Sequence, residues 1–325
     1  MPRFAKETPL PMSRQADPLA NKLVLLFGGD GFVGTHVAQE LLARGARLRI
    51  ASRHVERAFR LKPLAALGQV QFVRADITLT QHHAALVAGV DGVVNLVGAF
   101  AGDLDRLHVK APAALAAAAQ AAGVGAFVQV SANGADPESR VDYARTKAEG
   151  ETAVLAAFPR ATILRPSVIF GPDDRFVNLF AGLIAHVPVL PVFAPEARLQ
   201  PVFVDDVAAA VGNALADPAR LGGKTYEVVG PEVLTMLGLN EKIAAAQGRK
   251  RLFAPLPDAI AGLIAALPGT PISRDQLALL RAGNVSQGLP GLKALGLAAR
   301  PLSLFLDRWL VRYREHGRFG EKAAG

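Results

Sequence analysis

Three side chains of this 325-residue chain have the types and spacing of a proton-transfer site: Ser131, Tyr143 and Lys147. Tyr143 and Lys147 stand at i and i+4, so on a helix they share one face. An ammonium beside a phenol favours the phenolate, which predicts a Tyr143 pKa below the ordinary tyrosine value. The same ammonium can hydrogen-bond a nicotinamide ribose. Ser131, at the end of an apolar run, is placed to hold a substrate carbonyl or hydroxyl. In a pocket that excludes water, such a trio moves a proton while a hydride passes to or from a nicotinamide. Tyr-x-x-x-Lys is common by chance, so its weight depends on the elements that position it.

Those elements begin with Gly28-Gly29-Asp30-Gly31-Phe32-Val33-Gly34, between the apolar run Lys22–Phe27 and a helical stretch starting near Phe32. In this Gly-x-x-Gly-x-x-Gly loop Gly28 allows the tight turn, Gly31 lets the backbone approach a pyrophosphate, and Gly34 lets helix and strand pack closely. The helix N-terminus adds free N–H donors and partial positive charge. Asp30 brings a carboxylate near the pyrophosphate unless it caps the helix, and capping is the expected role. About 20 residues further on, where an NAD-binding fold usually places an acid for the ribose hydroxyls, stand Ser52 and Arg53. They favour a 2′-phosphate, hence NADP(H) over NAD(H); the alternative is a solvent-facing arginine. Asp76 is read either as an acceptor for the adenine amino group or as a turn aspartate.

Short β-rich runs alternate with alanine-rich helical stretches: Leu23–Phe27, Leu48–Ala51, Val70–Val73, Gly92–Val97, Ala126–Val130 and Thr162–Arg165, with helices expected over Val33–Ala43 and Leu107–Ala122. The strands lack polar alternation, as in a parallel sheet covered on both faces. The fold class expected is α/β, a Rossmann-type doubly wound sheet with a smaller, mainly helical C-terminal lobe. Residues 1–20 read as a flexible arm, 21–172 as the nucleotide-binding domain and 173–325 as an interleaved substrate-side lobe. The chain has no cysteine, which excludes disulfides and thiolate chemistry. His82-His83 reads as two solvated helix-start residues, and no metal-ligand spacing accompanies it.

The glycine loop, Ser131, the Tyr143/Lys147 pair and the strand exit Leu164–Pro172 together resemble the short-chain dehydrogenase/reductase superfamily, in its extended and atypical branch. Within it the chain is similar to the NAD(P)H-binding accessory subunit of respiratory complex I and its bacterial relatives. That likeness lies in Val94–Gly98, Ser131–Ala135, Gly171–Phe176, Gln200–Val207 and Tyr226–Glu232. It implies a nucleotide cleft that also takes in Ile77, Leu96, Val97, Gly98 and Pro166. The resemblance further implies a tightly held, structural NADPH and partners among complex I subunits. The expected place is the cytoplasmic or matrix side, soluble or peripheral to the inner membrane. An active oxidoreductase or epimerase using Ser131, Tyr143 and Lys147 is the competing expectation, although the short span between Ser131 and Tyr143 lacks the longer substrate loop of sugar-nucleotide epimerases.

The formal charge of +8 is concentrated near the end: Arg281, Lys293, Arg300, Arg308, Arg312, Arg314, Arg318 and Lys322 against Asp307, Glu315 and Glu321. No nucleic-acid-binding signature goes with it, and no apolar run is long enough to span a bilayer. Acids among the first residues argue against a mitochondrial transit peptide. Leu302–Tyr313 carries an apolar helical face among arginines. It suits anionic lipid head groups or a partner subunit, with packing onto its own lobe as the alternative.

Overall fold

The computed structural model describes residues 16–267 and 272–314, so most of the expected N-terminal arm, and Arg318 and Lys322 of the basic tail, lie outside the described residues. The apolar runs form parallel strands β1 (Leu23–Phe27), β2 (Arg47–Ser52), β3 (Val70–Arg74), β4 (Gly92–Asn95), β5 (Ala126–Val130) and β6 (Thr162–Pro166). A seventh strand, Thr225–Val228, completes the sheet. The order is Thr225–Val228, β6, β5, β4, β1, β2, β3, and every pairing is parallel. β4 and β5 are buried at every residue because helices cover both faces, whereas the edge strand β3 is not.

Helices α1 (Phe32–Ala43) and α6 (Val204–Ala216) cover one face through Val37, Leu41, Val207 and Val211. On the other face, α2 (His83–Val87), α3 (Ala111–Ala121) and α4 (Asp142–Ala157) enclose Leu25, Phe27, Leu115, Phe127 and Val154. The helix expected over 107–122 opens as a π turn, Arg106–Lys110, before α3 begins. Strand order reverses between β1 and β4, and the crevice where such a sheet takes its ligand lies beyond their C-terminal ends.

A third cluster joins α5 (Val177–His186) to Met236–Ala246, Asp258–Ala265, Arg274–Ala282 and Ser303–Trp309, around Phe170, Ile184, Leu239, Ile243 and Leu306. The chain leaves the sheet after β6, builds part of this lobe, returns through α6 and Thr225–Val228, and leaves again. Of the two readings of Leu302–Tyr313, the structure takes packing onto its own lobe. Leu302, Leu306 and Leu310 are buried, and Phe305 stacks on Phe203 with centroids 3.8 Å apart. Asp206 of α6 secures this end, accepting from Arg300 N–H at 2.9 Å and Arg300 Nε at 2.6 Å.

Two expectations are corrected. His82 is exposed as expected, but His83 is buried, its Nε2 2.8 Å from Ile77 O and its ring edge-on to Phe27. A helix starting there turns successive side chains to different faces, so an adjacent pair cannot share one environment. Residues 17–20, assigned to the arm, form a turn in which Leu19 is buried and Asp17 Oδ2 accepts from Arg44 Nε at 2.9 Å.

Candidate functional site

The glycine loop has the geometry that its three spaced glycines imply. Gly28 has φ +82°, a conformation that side chains rarely adopt, and it abuts the β4 exit: a Cβ there would lie 3.5 Å from Leu96. At Gly34 a Cβ would collide with the Gly28 carbonyl oxygen, so α1 can start this close to β1 only as glycine. Gly31 is the N-cap of α1, with extended backbone and no side-chain cap bond. Gly31 is exposed, leaving the helix N-terminus accessible to an anion. Asp30 therefore does not cap α1, contrary to expectation: it precedes the N-cap and its side chain is out of register with the first turn. Phe32 and Val33 follow in the first turn, where the Phe32 ring leaves so little room at Gly171 that a Cβ there would be 3.1 Å from it.

Along the β2 and β3 exits, Ser52 is buried and its hydroxyl accepts from His54 N–H at 3.1 Å, while Arg53 is exposed. Asp76 Oδ1 accepts from both the amide and the hydroxyl of Thr78, each at 2.9 Å, so this oxygen serves the turn. Burial works to raise the Asp76 pKa, but the Thr78 bonds and the nearby Arg53 and Arg106 outweigh it and hold the carboxyl below its ordinary value. Ile77 is buried behind it. Sequence reasoning missed Arg60. From the turn Val55–Leu64 its Nη2 reaches Asp30 O at 2.9 Å and Thr35 Oγ1 at 2.6 Å, which sets a cation on the rim of the glycine loop.

Tyr143 and Lys147 lie in the first turns of α4, as their spacing requires. The Tyr143 ring stacks on Phe100, with centroids 4.4 Å apart and planes at 22°, and meets His108 edge-on at 5.6 Å. Lys147 is 5% exposed, and its Nζ sits under the backbone at Gly98, where a Cβ would be 3.0 Å away. One turn further, the buried Glu151 forms a bidentate pair with Arg165 of β6, Nε–Oε1 2.8 Å and Nη2–Oε2 2.7 Å. Burial brings the Lys147 amine down to about 8 against the smaller upward pull of Glu151. The expected lowering of Tyr143 is reversed: burial pushes the phenol up to about 12. The reason is distance and desolvation. Lys147 Nζ is 5.9 Å from the Tyr143 ring centroid, while Phe100 and His108 pack against the ring.

Ser131 follows β5 and is 5% exposed, with its hydroxyl lacking a partner among the described residues. Its amide donates to Leu164 O at 2.7 Å, and two residues on Asn133 N–H donates to Pro166 O at 2.8 Å, which knits the β5 and β6 exits together. Leu96, Val97 and Gly98 form the β4 exit; Asn95 Oδ1 accepts from Val97 N–H at 3.1 Å and fixes its turn. The singled-out residues thus divide between the β1–β2–β3 exits and the β4–β5–β6 exits, on either side of the reversal in strand order.

The model of the NAD dependent epimerase/dehydratase family matches residues 24–229. The chain belongs to that family. Over 306 residues it is 33% identical to the mitochondrial NADH dehydrogenase (ubiquinone) 1 alpha subcomplex subunit 9 of Mus musculus, covering 90% of this chain and 80% of the mouse protein. It is 32% identical over 194 residues to the ceramide reductase of Caulobacter vibrioides, covering 58% of this chain and 60% of that one. Among solved structures, the triphenylmethane reductase of Citrobacter sp., complexed with NADP(H), superposes with a TM-score of 0.72 at 21% identity, covering 88% of this chain and 99% of the reductase. That likeness shows the shared fold. Among the described residues no helix is long and apolar enough to cross a membrane.

As a member of this family the chain is a nicotinamide-nucleotide binder in outline, and its site fits such a group. Gly34 lets the α1 N-terminus sit directly against the Gly28 turn, that N-terminus carries no side-chain cap, and Ser131 Oγ is an orphaned polar atom at the β5 exit. A bound nicotinamide would supply or accept hydride. Among the chain's own groups, a phenol near 12 stays protonated at neutral pH, which suits donating a proton to a developing alkoxide better than removing one from an alcohol.

Proposed function

We propose that this protein is an NADP(H)-binding accessory protein of the respiratory complex I type, in which the nucleotide stabilises the fold without being turned over. The observation that carries this reading is the likeness to the mouse alpha subcomplex subunit, which takes in 90% of this chain and 80% of that protein, where the ceramide reductase takes in 58% of this chain. In this reading the loop Gly28–Gly34 with Phe32 and Val33 holds the pyrophosphate. Leu96, Val97, Gly98, Pro166, Tyr143 and Lys147 hold the nicotinamide half. Ile77 and the free oxygen of Asp76 border the adenine. Arg53 favours NADP(H) over NAD(H), because β2 ends in Ser52-Arg53 where an acid would otherwise meet the ribose hydroxyls, and Arg60 adds a cation at the glycine loop.

Complex I subunits are the partners in this reading, on the matrix or cytoplasmic side. Contact with anionic lipid rests on cations such as the exposed Arg308, since the apolar face of the last helix is occupied by its own lobe. The test is purification of the native protein: NADPH should be retained without exchange, a carbonyl panel should leave it unoxidised, and the protein should co-purify with a membrane complex. The second reading, a reductase, is favoured by the buried, unpartnered Ser131 hydroxyl together with an intact Tyr143/Lys147 pair. NADPH consumption that Tyr143→Phe abolishes would establish it and overturn the first.

A further inference from the structure

His108 lies in the π turn Arg106–Lys110 and is 2% exposed. Both ring nitrogens are engaged. Ala99 N–H donates to Nε2 at 3.2 Å, and Nδ1 lies 2.9 Å from Thr146 Oγ1. An amide N–H only donates, so Nε2 is the unprotonated nitrogen and the ring proton sits on Nδ1, directed at Thr146 Oγ1. The Thr146 hydroxyl passes its own proton to Asp142 O at 2.7 Å. This chain of bonds fixes the ring as the neutral Nδ1–H tautomer.

Each contact ends on part of the nicotinamide side of the cleft. Ala99 lies between Gly98, whose backbone covers Lys147 Nζ, and Phe100, which stacks on Tyr143. A Cβ at Gly98 would be 3.0 Å from Lys147 Nζ and 3.9 Å from His108 Nε2, so the three groups meet at one point. The imidazole edge itself braces the Tyr143 ring. Beneath, the turn is pressed onto α4 at Gly150, where a Cβ would collide with His108 O. A π turn widens the helix by one residue and is frequent at functional sites. Here it aims an imidazole at the two residues read as nucleotide ligands.

We infer that His108 is a positioning residue for nucleotide binding: as a neutral acceptor it fixes Gly98–Phe100 and thereby holds Lys147 and Tyr143 where a nicotinamide ribose would meet them. The inference rests on the reading of Tyr143 and Lys147 as nucleotide ligands. Neutrality is essential to it, because an imidazolium would lose the Ala99 bond and set a second cation beside Lys147. Burial, and next the Lys147 charge, bring His108 down to about 4, so the ring stays neutral throughout the working range. The titratable groups that face Lys147 are His108, Tyr143 and Glu151, the last already paired with Arg165.

The test is NADPH titration of the full-length protein across neutral and alkaline pH, alongside melting without nucleotide. His108→Gln keeps an acceptor for Ala99 and a donor for Thr146, and should bind within about threefold of the parent. His108→Leu leaves the Ala99 amide unpaired and should bind roughly tenfold more weakly. In that variant the alkaline fall in affinity should also begin at lower pH, because Lys147 has lost a polar neighbour; a merely structural role would leave this midpoint in place. Binding by the parent with an unchanged His108→Leu midpoint and affinity overturns the inference alone. No NADPH binding by the parent overturns the nucleotide reading. Should His108→Leu fail to fold, Thr146→Val, which removes the partner of the Nδ1 proton, should shift the same midpoint, and an unshifted midpoint overturns the inference.

Discussion

At Gly34 one methyl group decides whether strand and helix can meet, since a Cβ would run into the Gly28 carbonyl. Gly34→Ala should lose about 2 kcal/mol, read from the urea midpoint, together with nucleotide binding. Lys147 works in the opposite sense. Its folded pKa is about 8 against 10.5 for an ordinary lysine, so the buried charge destabilises the fold at neutral pH, and that cost disappears as pH rises from about 8 to 10.5, where only the unfolded chain holds the proton. Lys147→Met should therefore be roughly 3 kcal/mol more stable at pH 7 and lack this alkaline gain, while losing NADPH affinity. A less stable variant would refute the argument. Tyr143, raised from 10 to about 12, subtracts stability above pH 10 and closes the window on the alkaline side. The Tyr143/Lys147 spacing was legible because i,i+4 on a helix is a geometric certainty. The direction of the Tyr143 shift was not, because it depends on Phe100 and His108, brought there by a loop and a π turn that leave no periodic trace in sequence.

Elements were legible where burial dictates composition. β1, β4, β5 and β6 are β-branched or apolar runs because helices shut both faces of a parallel sheet, and their boundaries fall within two residues of expectation. What joins them was less so: Glu151 on α4 and Arg165 on β6 form an ion pair at 6% and 17% side-chain exposure, from positions that sequence alone does not connect. Glu151→Gln would strand a buried guanidinium and should cost about 3 kcal/mol in chemical denaturation. The double change Glu151→Leu with Arg165→Met should recover most of that loss, since two well-packed apolar groups carry no desolvation penalty; failure to recover would show that the pair has a role beyond packing. The Asp30 correction is also a matter of registry: the N-cap fell one residue later, on Gly31, and took the helix start with it.

Across the whole molecule, the two lobes are tied by α6, whose Asp206 grips Arg300 as Leu302, Leu306 and Leu310 close the lobe's core. Ending the chain at Ala299 should lower the melting temperature of the protein and expose a dye-binding apolar surface, while the glycine loop, far along the chain, keeps its sequence intact. If the nucleotide is structural, NADPH at a hundred times its Kd should stabilise the full chain by about 2.7 kcal/mol, and NADH by less. The sheet has a last consequence, for how the protein is made. β6 ends at Pro166, but its neighbour Thr225–Val228 emerges only after the chain has written α5 and α6. Until then the nascent polypeptide presents an unpaired parallel edge, the sort of template that recruits foreign strands, and chaperone protection during translation should be needed over this interval rather than at the N-terminal strands.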